Sequence, residues 1–418
     1  MNAACTQQTR KISLSVPVVF VPSFLGSVLV DDSDKEVYVT ASIGLALDTP
    51  NIKLPITWNC RDGKLPTQEK DDIRPKSPLK SVKFEFCGCT SIPILHQYST
   101  FCNHFEQYDN FHSFGYDWRR DLNETTDLLL DYLERIKVRY GVAAQVISHS
   151  MGCLIAVAAY NTEPSLFHST LFCGGMFAGG FGFYPTNTEG MMVGLNKKYL
   201  GPDVVHTFPS MYAAASPMGV GKDPILRNSE GRQLWQFADL RDMQKNVDID
   251  MWKYDDWKKF RIGPFLSDEI SPAMEEHVKT CLRLGYEFQL KMRNLEVKDN
   301  GYVEKGSKDI DLCPPVAVLV GDQFLKPDSF LWDTEESTIV EWTPALIKKL
   351  NPSHFAKTDG TVSYISASQP PIPKGVKVKE YLARNNGPGL GTHRDIMNDI
   401  ETVELILNDL KETLCVRL

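Results

Sequence analysis

The segment QVISHSMGCLIAVAAY sets Ser150 between a β-branched apolar run and a small-residue stretch of helical character. A serine hydroxyl is a weak nucleophile at neutral pH. It gains reactivity when a sharp strand-to-helix turn holds it out beside a general base. Such a turn brings backbone against backbone, so the positions two before and two after must be small, and here they are Ser148 and Gly152. This is the G-x-S-x-G pattern with its first glycine replaced by serine. In that geometry the N–H of the next residue, Met151, is one donor of an oxyanion hole for a tetrahedral intermediate.

A base and an acid complete the chemistry, and in sheets of this kind they follow in the order serine, acid, histidine. Of nine histidines, His96, His104 and His112 precede Ser150, and His149 adjoins it facing the other side of the turn. His393, in PGLGTHRDIMND, lies in a glycine-containing loop just ahead of the last helical stretch, and it is the expected base. Two acids compete for the third role. Asp322 directly follows the strand-like VAVLVG, and Asp359 lies in the turn of KTDGTVSYISA. Either would hold an imidazole in one tautomer and stabilise its charged form; periodicity leaves both open.

These residues need a frame. VPVVFVP (Val16–Pro22) reads as a fully buried strand running into a turn, SFLGS. Leu128, Leu129, Tyr132, Leu133 and Ile136 recur at helical spacing, with Gly141 as the stop. AQVIS, then MGCLIAVAAYNT, then STLFCGG predict strand, helix and strand, and PVAVLV (Pro315–Val320) predicts another strand. The alternation is that of a parallel sheet covered by helices. Ile396, Ile400, Val403, Leu407, Leu410 and Leu414 form the stripe of a closing amphipathic helix. Residues 31–83 read as a long excursion rather than core, and 184–311 as an inserted cap without clear strand alternation. The expected division is a polar leader 1–15, a core 16–183 with a lid-like excursion at about 37–83, the cap 184–311, and the rest of the core 312–418.

The composition limits the alternatives. The 418 residues are 42% hydrophobic and 23% charged, enough for a large core and too apolar for disorder. The net charge of -8 argues against a general nucleic-acid binder, which needs a basic face. The apolar run Val16–Val30 is broken by prolines and glycine and is too short to cross a bilayer, and residues 1–15 do not look like a secretory signal. With ten scattered cysteines, this predicts reduced thiols and a cytoplasmic location, with peripheral membrane contact allowed. Cys87 and Cys89 lack a second pair for zinc, and GVGKD around Lys222 lacks the frame of a phosphate loop. No metal or organic cofactor is expected. The terminal Cys415-Val416-Arg417-Leu418 has prenylation-box spacing with a poorly fitting Arg417.

Seven blocks occur in one order: PVVFVPSFLGSVL, FGYDWRRDLNE, VISHSMG, FADLRDM, GDQFLKPDSF, TDGTV and THRDIM. Together they resemble the lecithin:cholesterol acyltransferase and lysosomal phospholipase A family, over about Val16 to Met397. The resemblance implies an α/β-hydrolase fold with a cap and a serine triad acting on acyl esters of lipids. It selects Asp359 over Asp322, and it implies Phe24 of PSFLG as the second oxyanion donor beside Met151. Three departures from the family stand out. Ser23 replaces a glycine at a position where a positive φ would strain it. The Gly174-Gly175-Met176 turn replaces a Gly-Thr/Ala-Pro turn, and Cys60 lacks the nearby partner of the family's lid disulfide. Tyr116, Asp117, Trp118 and Arg119 match a family block and are expected to form a buried polar anchor.

The expectation is therefore a serine acyl hydrolase or acyltransferase, phospholipase A-like, with a phospholipid or other lipid ester as substrate and no obligate protein partner. The alternatives are a lipid-binding pseudoenzyme on the same fold and a small-ester carboxylesterase.

Overall fold

A computed structural model of the chain describes residues 14–56, 71–86, 90–178, 183–215, 236–242, 246–247, 249–298, 301–305, 312–327, 329–336, 338–340, 343–349, 355–384 and 391–415. Val18–Val21 (β1), Phe111–Ser113 (β2), Ala144–His149 (β3), Phe167–Cys173 (β4), Val316–Val320 (β5) and Val378–Leu382 (β6) form one sheet. Its order is β6-β5-β4-β3-β1-β2, and every neighbouring pair is parallel.

Successive side chains on a strand point to opposite faces. Val19, Val21, Val146 and Val318 accordingly pack on one face, and Val18, Phe20, Ile147 and Leu319 on the other. Both faces are buried along β1 and β5, which is why VVFV and VAVLV appear in the sequence as unbroken apolar runs. Helices α1 (Ser99–Phe105) and α5 (Ile400–Cys415) cover one face with Phe101, Phe105, Val403, Ile406 and Leu410. Helices α2 (Leu122–Tyr140), α3 (Met151–Thr162) and α4 (Pro272–Met292) cover the other with Leu129, Leu133, Leu154, Ile155, Val278 and Phe288. Helix α2 is capped by the Asp121 carboxylate, which accepts the Asn123 N–H at 3.1 Å, and it stops at Gly141 with φ 71°. A parallel sheet with helices on both faces and a serine turn after β3 is an α/β-hydrolase fold.

Two expectations need correcting. The stretch after residue 31 is not merely an excursion. Val37, Tyr38, Val39, Ile43, Ile52 and Leu54 are buried in the larger core. Ser27–Asp31 pairs there with Glu36–Tyr38 and Ile73–Pro78. Exposed Glu36, Arg74 and Lys76 lie on these short strands among the less exposed positions, which hides the apolar pattern. The 184–311 stretch also contains strands, among them Met191–Val193, Asn196–Leu200 and Gln236–Asp239. They run two to five residues, too short for period-two alternation to show. Gln236–Asp239 pairs in parallel with Ser329–Asp333, so the second layer extends past residue 311.

Trp257 is buried and stacks on Tyr212 at 5.3 Å, so it belongs to the core. Trp235, Lys222, Cys60, Cys87, Cys89 and the last three residues lie outside the described residues. Cys102, Cys153, Cys173, Cys281 and Cys313 are buried. No helix among the described residues is long and apolar enough to cross a membrane.

Three buried histidines couple this core to pH. Burial holds His149 down to about 3 and His206 and His277 to about 4. Each is neutral in the fold, whereas the unfolded chain binds a proton near pH 6.5. The unfolded state therefore gains protons first, and stability falls as pH drops from about 6.5 towards 4. The slope is up to about 1.4 kcal/mol per pH unit for each histidine. Asp121, raised to about 6 by burial, and Asp71, raised by burial, work in the opposite direction. The expected outcome is a lower urea midpoint at pH 5 than at pH 7, with a shallower fall in His206→Gln. A midpoint that holds or rises on acidification contradicts this account.

Candidate active site

Strand β3 ends at His149, and α3 begins at Met151. Ser150 between them has φ 54° and ψ -120°, a backbone conformation that costs a non-glycine residue about 1–3 kcal/mol. Its surroundings hold it there. The Ser150 N–H donates to the Cys173 carbonyl at 3.0 Å, and the Ser150 carbonyl accepts the Cys153 N–H at 3.0 Å. A Cβ at Gly152 would lie 2.4 Å from the Pro22 carbonyl oxygen and 2.6 Å from that of Val21. Only glycine lets α3 start this close to the end of β1. Ser148, where the pattern has glycine, fits because its hydroxyl turns to the small Cys153 side chain, Oγ to Sγ 3.4 Å.

The tight turn aims Ser150 at the loop before α5. His393 Nε2 lies 2.9 Å from Ser150 Oγ, and His393 Nδ1 lies 2.7 Å from Asp359 Oδ2. The His393 N–H also donates to the Asp359 carbonyl at 2.9 Å, so both backbone and side chain lock the pair. Burial opposes the Asp359 charge. The His393 imidazole and the N–H groups of Val362 and Thr361 outweigh it and hold the carboxyl below its usual range. With Nδ1–H committed to the carboxylate, Nε2 presents its lone pair to the serine hydroxyl.

Gly174, the residue after β4, has φ 56°. A Cβ there would lie 3.1 Å from His393 Nδ1 and 3.2 Å from Asp359 Oδ2. A side chain there would crowd the histidine and the carboxylate, and the positive φ favours glycine. Asp322, the competing acid, instead pairs with Lys357 at 3.0 Å, partly exposed. His104 and His112 are engaged elsewhere, with Glu404 at 2.7 Å and the Tyr140 hydroxyl at 2.9 Å.

Met151 is the first residue of α3, where the N–H has no carbonyl four residues back to bond to. Phe24 lies in the turn after β1, its ring 5.2 Å from that of Trp118. That turn is gripped by the Tyr-Asp-Trp-Arg block. The Tyr116 hydroxyl donates to the Pro22 carbonyl at 2.9 Å, and Trp118 Nε1 to the Ser27 carbonyl at 3.1 Å. Arg119, fully buried, donates to both Asp117 carboxylate oxygens at 2.9 and 2.6 Å, to the Ile52 carbonyl at 2.9 Å, and pairs with Asp71 at 2.5 Å. The expected strain at Ser23 is absent, since the positive φ falls two residues later, on Leu25 at 59°. Gly26 closes the turn through its N–H to the Ser23 carbonyl at 2.9 Å.

Met176, in the altered turn, is buried with Sδ 3.9 Å from Ser150 Oγ. Sequence reasoning set His149 aside and gave no signal for Tyr98. Both are buried beside the triad, with the Tyr98 hydroxyl 2.7 Å from His149 Nδ1. Among the described residues no group of three or more histidine, cysteine or acidic side chains is arranged to hold a metal ion.

No protein-family model matches the chain, and no curated protein matches it. Among solved structures it is similar to a chain of the Tle4–Tli4 complex, at 15% identity over 92% of this chain and 96% of that one, with a TM-score of 0.47. It is similar to a probable hydrolytic enzyme from Pseudomonas aeruginosa PAO1, at 12% identity over 75% and 80% with a TM-score of 0.28. It is also similar to a carboxylesterase from Nitrososphaera gargenis, at 9% identity over 98% and 93% with a TM-score of 0.29. These scores are all below 0.5, so the fold assignment rests on the sheet order and the serine turn of this chain.

Proposed function

We propose that the chain is a serine acyl hydrolase or acyltransferase acting on lipid esters, phospholipase A-like, through an acyl-enzyme. The observation that carries this reading is the unbroken hydrogen-bonded line from Ser150 through His393 to Asp359. Ser150 Oγ attacks the ester carbonyl carbon while His393 Nε2 takes the hydroxyl proton. Asp359 stabilises the imidazolium so formed. The N–H groups of Met151 and Phe24 hold the oxyanion of the tetrahedral intermediate. On collapse, His393 gives its proton to the leaving alcohol and the acyl group stays on Ser150. Water or a second alcohol then attacks the acyl-enzyme by the same steps in reverse roles. No step calls for a metal or an organic cofactor.

The lipid part of the reading is supported by a patch of exposed leucines. The Leu195 N–H donates to the Gly44 carbonyl at 2.7 Å, which brings the tip of the Met191–Leu200 hairpin onto the turn that carries Leu45 and Leu47. Leu47 and Leu195 are 78% and 71% exposed, and the exposed Lys197 and Lys198 follow on the same hairpin. Apolar side chains rimmed by lysines suit peripheral contact with an anionic lipid surface.

A fluorophosphonate probe tests the nucleophile. Wild type is expected to label and Ser150→Ala not to; a wild type that stays unlabelled supports the lipid-binding pseudoenzyme instead. Asp359→Asn is expected to lower ester turnover by about 10⁴-fold, and Asp322→Asn to leave it unchanged; the reverse result exchanges the two acids. Products from mixed phospholipid vesicles, read by mass spectrometry with and without added sterol, are expected to include lysophospholipid. Cleavage of short soluble esters with vesicles left intact points to a small-ester carboxylesterase.

A further inference from the structure

His149 and Tyr98 are buried titratable side chains that the reaction above does not use. The Tyr98 hydroxyl oxygen accepts the Ser23 N–H at 3.0 Å, and it lies 2.8 Å from Ser23 Oγ and 2.7 Å from His149 Nδ1. On the far side of the ring, His149 Nε2 lies 2.8 Å from the His393 carbonyl oxygen. These bonds join three separate pieces of the site: the turn that carries Phe24, the residue before the nucleophile, and the loop that carries the base.

The hydrogens can be assigned. A carbonyl oxygen only accepts, so His149 carries its hydrogen on Nε2. Held neutral by burial, its Nδ1 is then an acceptor. The single Tyr98 hydrogen must go to Nδ1, because nothing else there can donate to it. The Ser23 hydroxyl donates to the Phe24 carbonyl at 2.9 Å, and the Ser23 N–H donates to the Tyr98 oxygen. Donation therefore runs one way, from Ser23 through Tyr98 and His149 to His393. Bonds in such a row polarise one another and favour a single arrangement. Tyr98 is wedged against Phe20 at 4.9 Å, and the His149 and His393 rings lie 5.0 Å apart, so neither donor is free to swing.

We propose that Tyr98 and His149 are positioning residues that fix the His393 backbone and the Ser23–Phe24 turn to each other, so that the base and the oxyanion donor are set by one buried chain of hydrogen bonds. This rests on the serine acyl-transfer reading. The line begins at the Ser23 N–H, in the turn where this chain departs from the family it resembles. Neither Tyr98 nor His149 touches the reacting atoms. Their effect is on where His393 Nε2 and the Phe24 N–H stand.

The test measures a soluble short-chain ester and the fluorophosphonate probe on purified full-length protein. A misplacement of about 1 Å in such a site costs about 10²-fold in rate. Tyr98→Phe and His149→Leu are each expected to lower kcat by about 10–10²-fold with KM unchanged. The double variant is expected to be no slower than His149→Leu alone, because both changes break the same line. His149→Gln, whose amide can still donate to the His393 carbonyl, is expected to recover much of the loss. Wild-type kcat in Tyr98→Phe, or losses that multiply in the double variant, would overturn the proposal. Should His149→Leu fail to fold, Tyr98→Phe, which removes one oxygen atom, decides on its own. A wild type that labels while the variants label equally fast sinks only the positioning role; an unlabelled wild type sinks the acyl-transfer reading and this inference with it.

Discussion

The backbone of Ser150 is the constraint from which the site follows. A positive φ on a non-glycine residue is unfavourable by itself, so the fold must over-determine it. It does so from three directions: β4 through the Cys173 carbonyl, α3 through the Cys153 N–H, and β1 through the carbonyls that crowd Gly152. Each is part of the sheet or directly attached to it. The reactive hydroxyl is therefore positioned by the most buried part of the molecule, while its partners arrive on loops. Gly174 shows the same logic on the acid side, since a Cβ there would press on both His393 and Asp359.

Much of this was legible in the sequence, for a physical reason. Strands buried on both faces tend to be apolar runs; β1 and β5 are unbroken ones, and the buried β3 and β4 carry apolar stretches between turn residues. The elbow demands small residues around one serine, and Ser148 and Gly152 meet that demand. Chain order narrows the histidines to those after Ser150 and points to His393. The choice between Asp322 and Asp359 was different. Both follow extended segments, and nothing local distinguishes a carboxylate paired with Lys357 from one enclosed beside His393. Only the resemblance separated them.

What the sequence hid is equally instructive. Tyr98 stands in an unremarkable stretch before a seven-residue helix, and its role depends on a contact 51 residues away along the chain. The strands of the second layer are too short to announce themselves, and one of them finds its partner more than ninety residues later. The strain expected at Ser23 did not materialise because the turn places its positive φ on Leu25 instead. A substitution read against a family pattern carries that pattern's backbone angles with it, and the turn had shifted.

The buried Arg119 has a consequence for how the chain can vary. Its guanidinium holds the Ile52 carbonyl and the Asp71 carboxylate together, so one side chain pins both ends of the stretch between them. Removing one partner of a buried ion pair is severe, about 3–5 kcal/mol. Lengthening a loop whose ends are already joined is mild, about 0.6 kcal/mol for each doubling. Ile52 and Asp71 thus keep their places beside the turn that carries Phe24 whatever the number of residues between them.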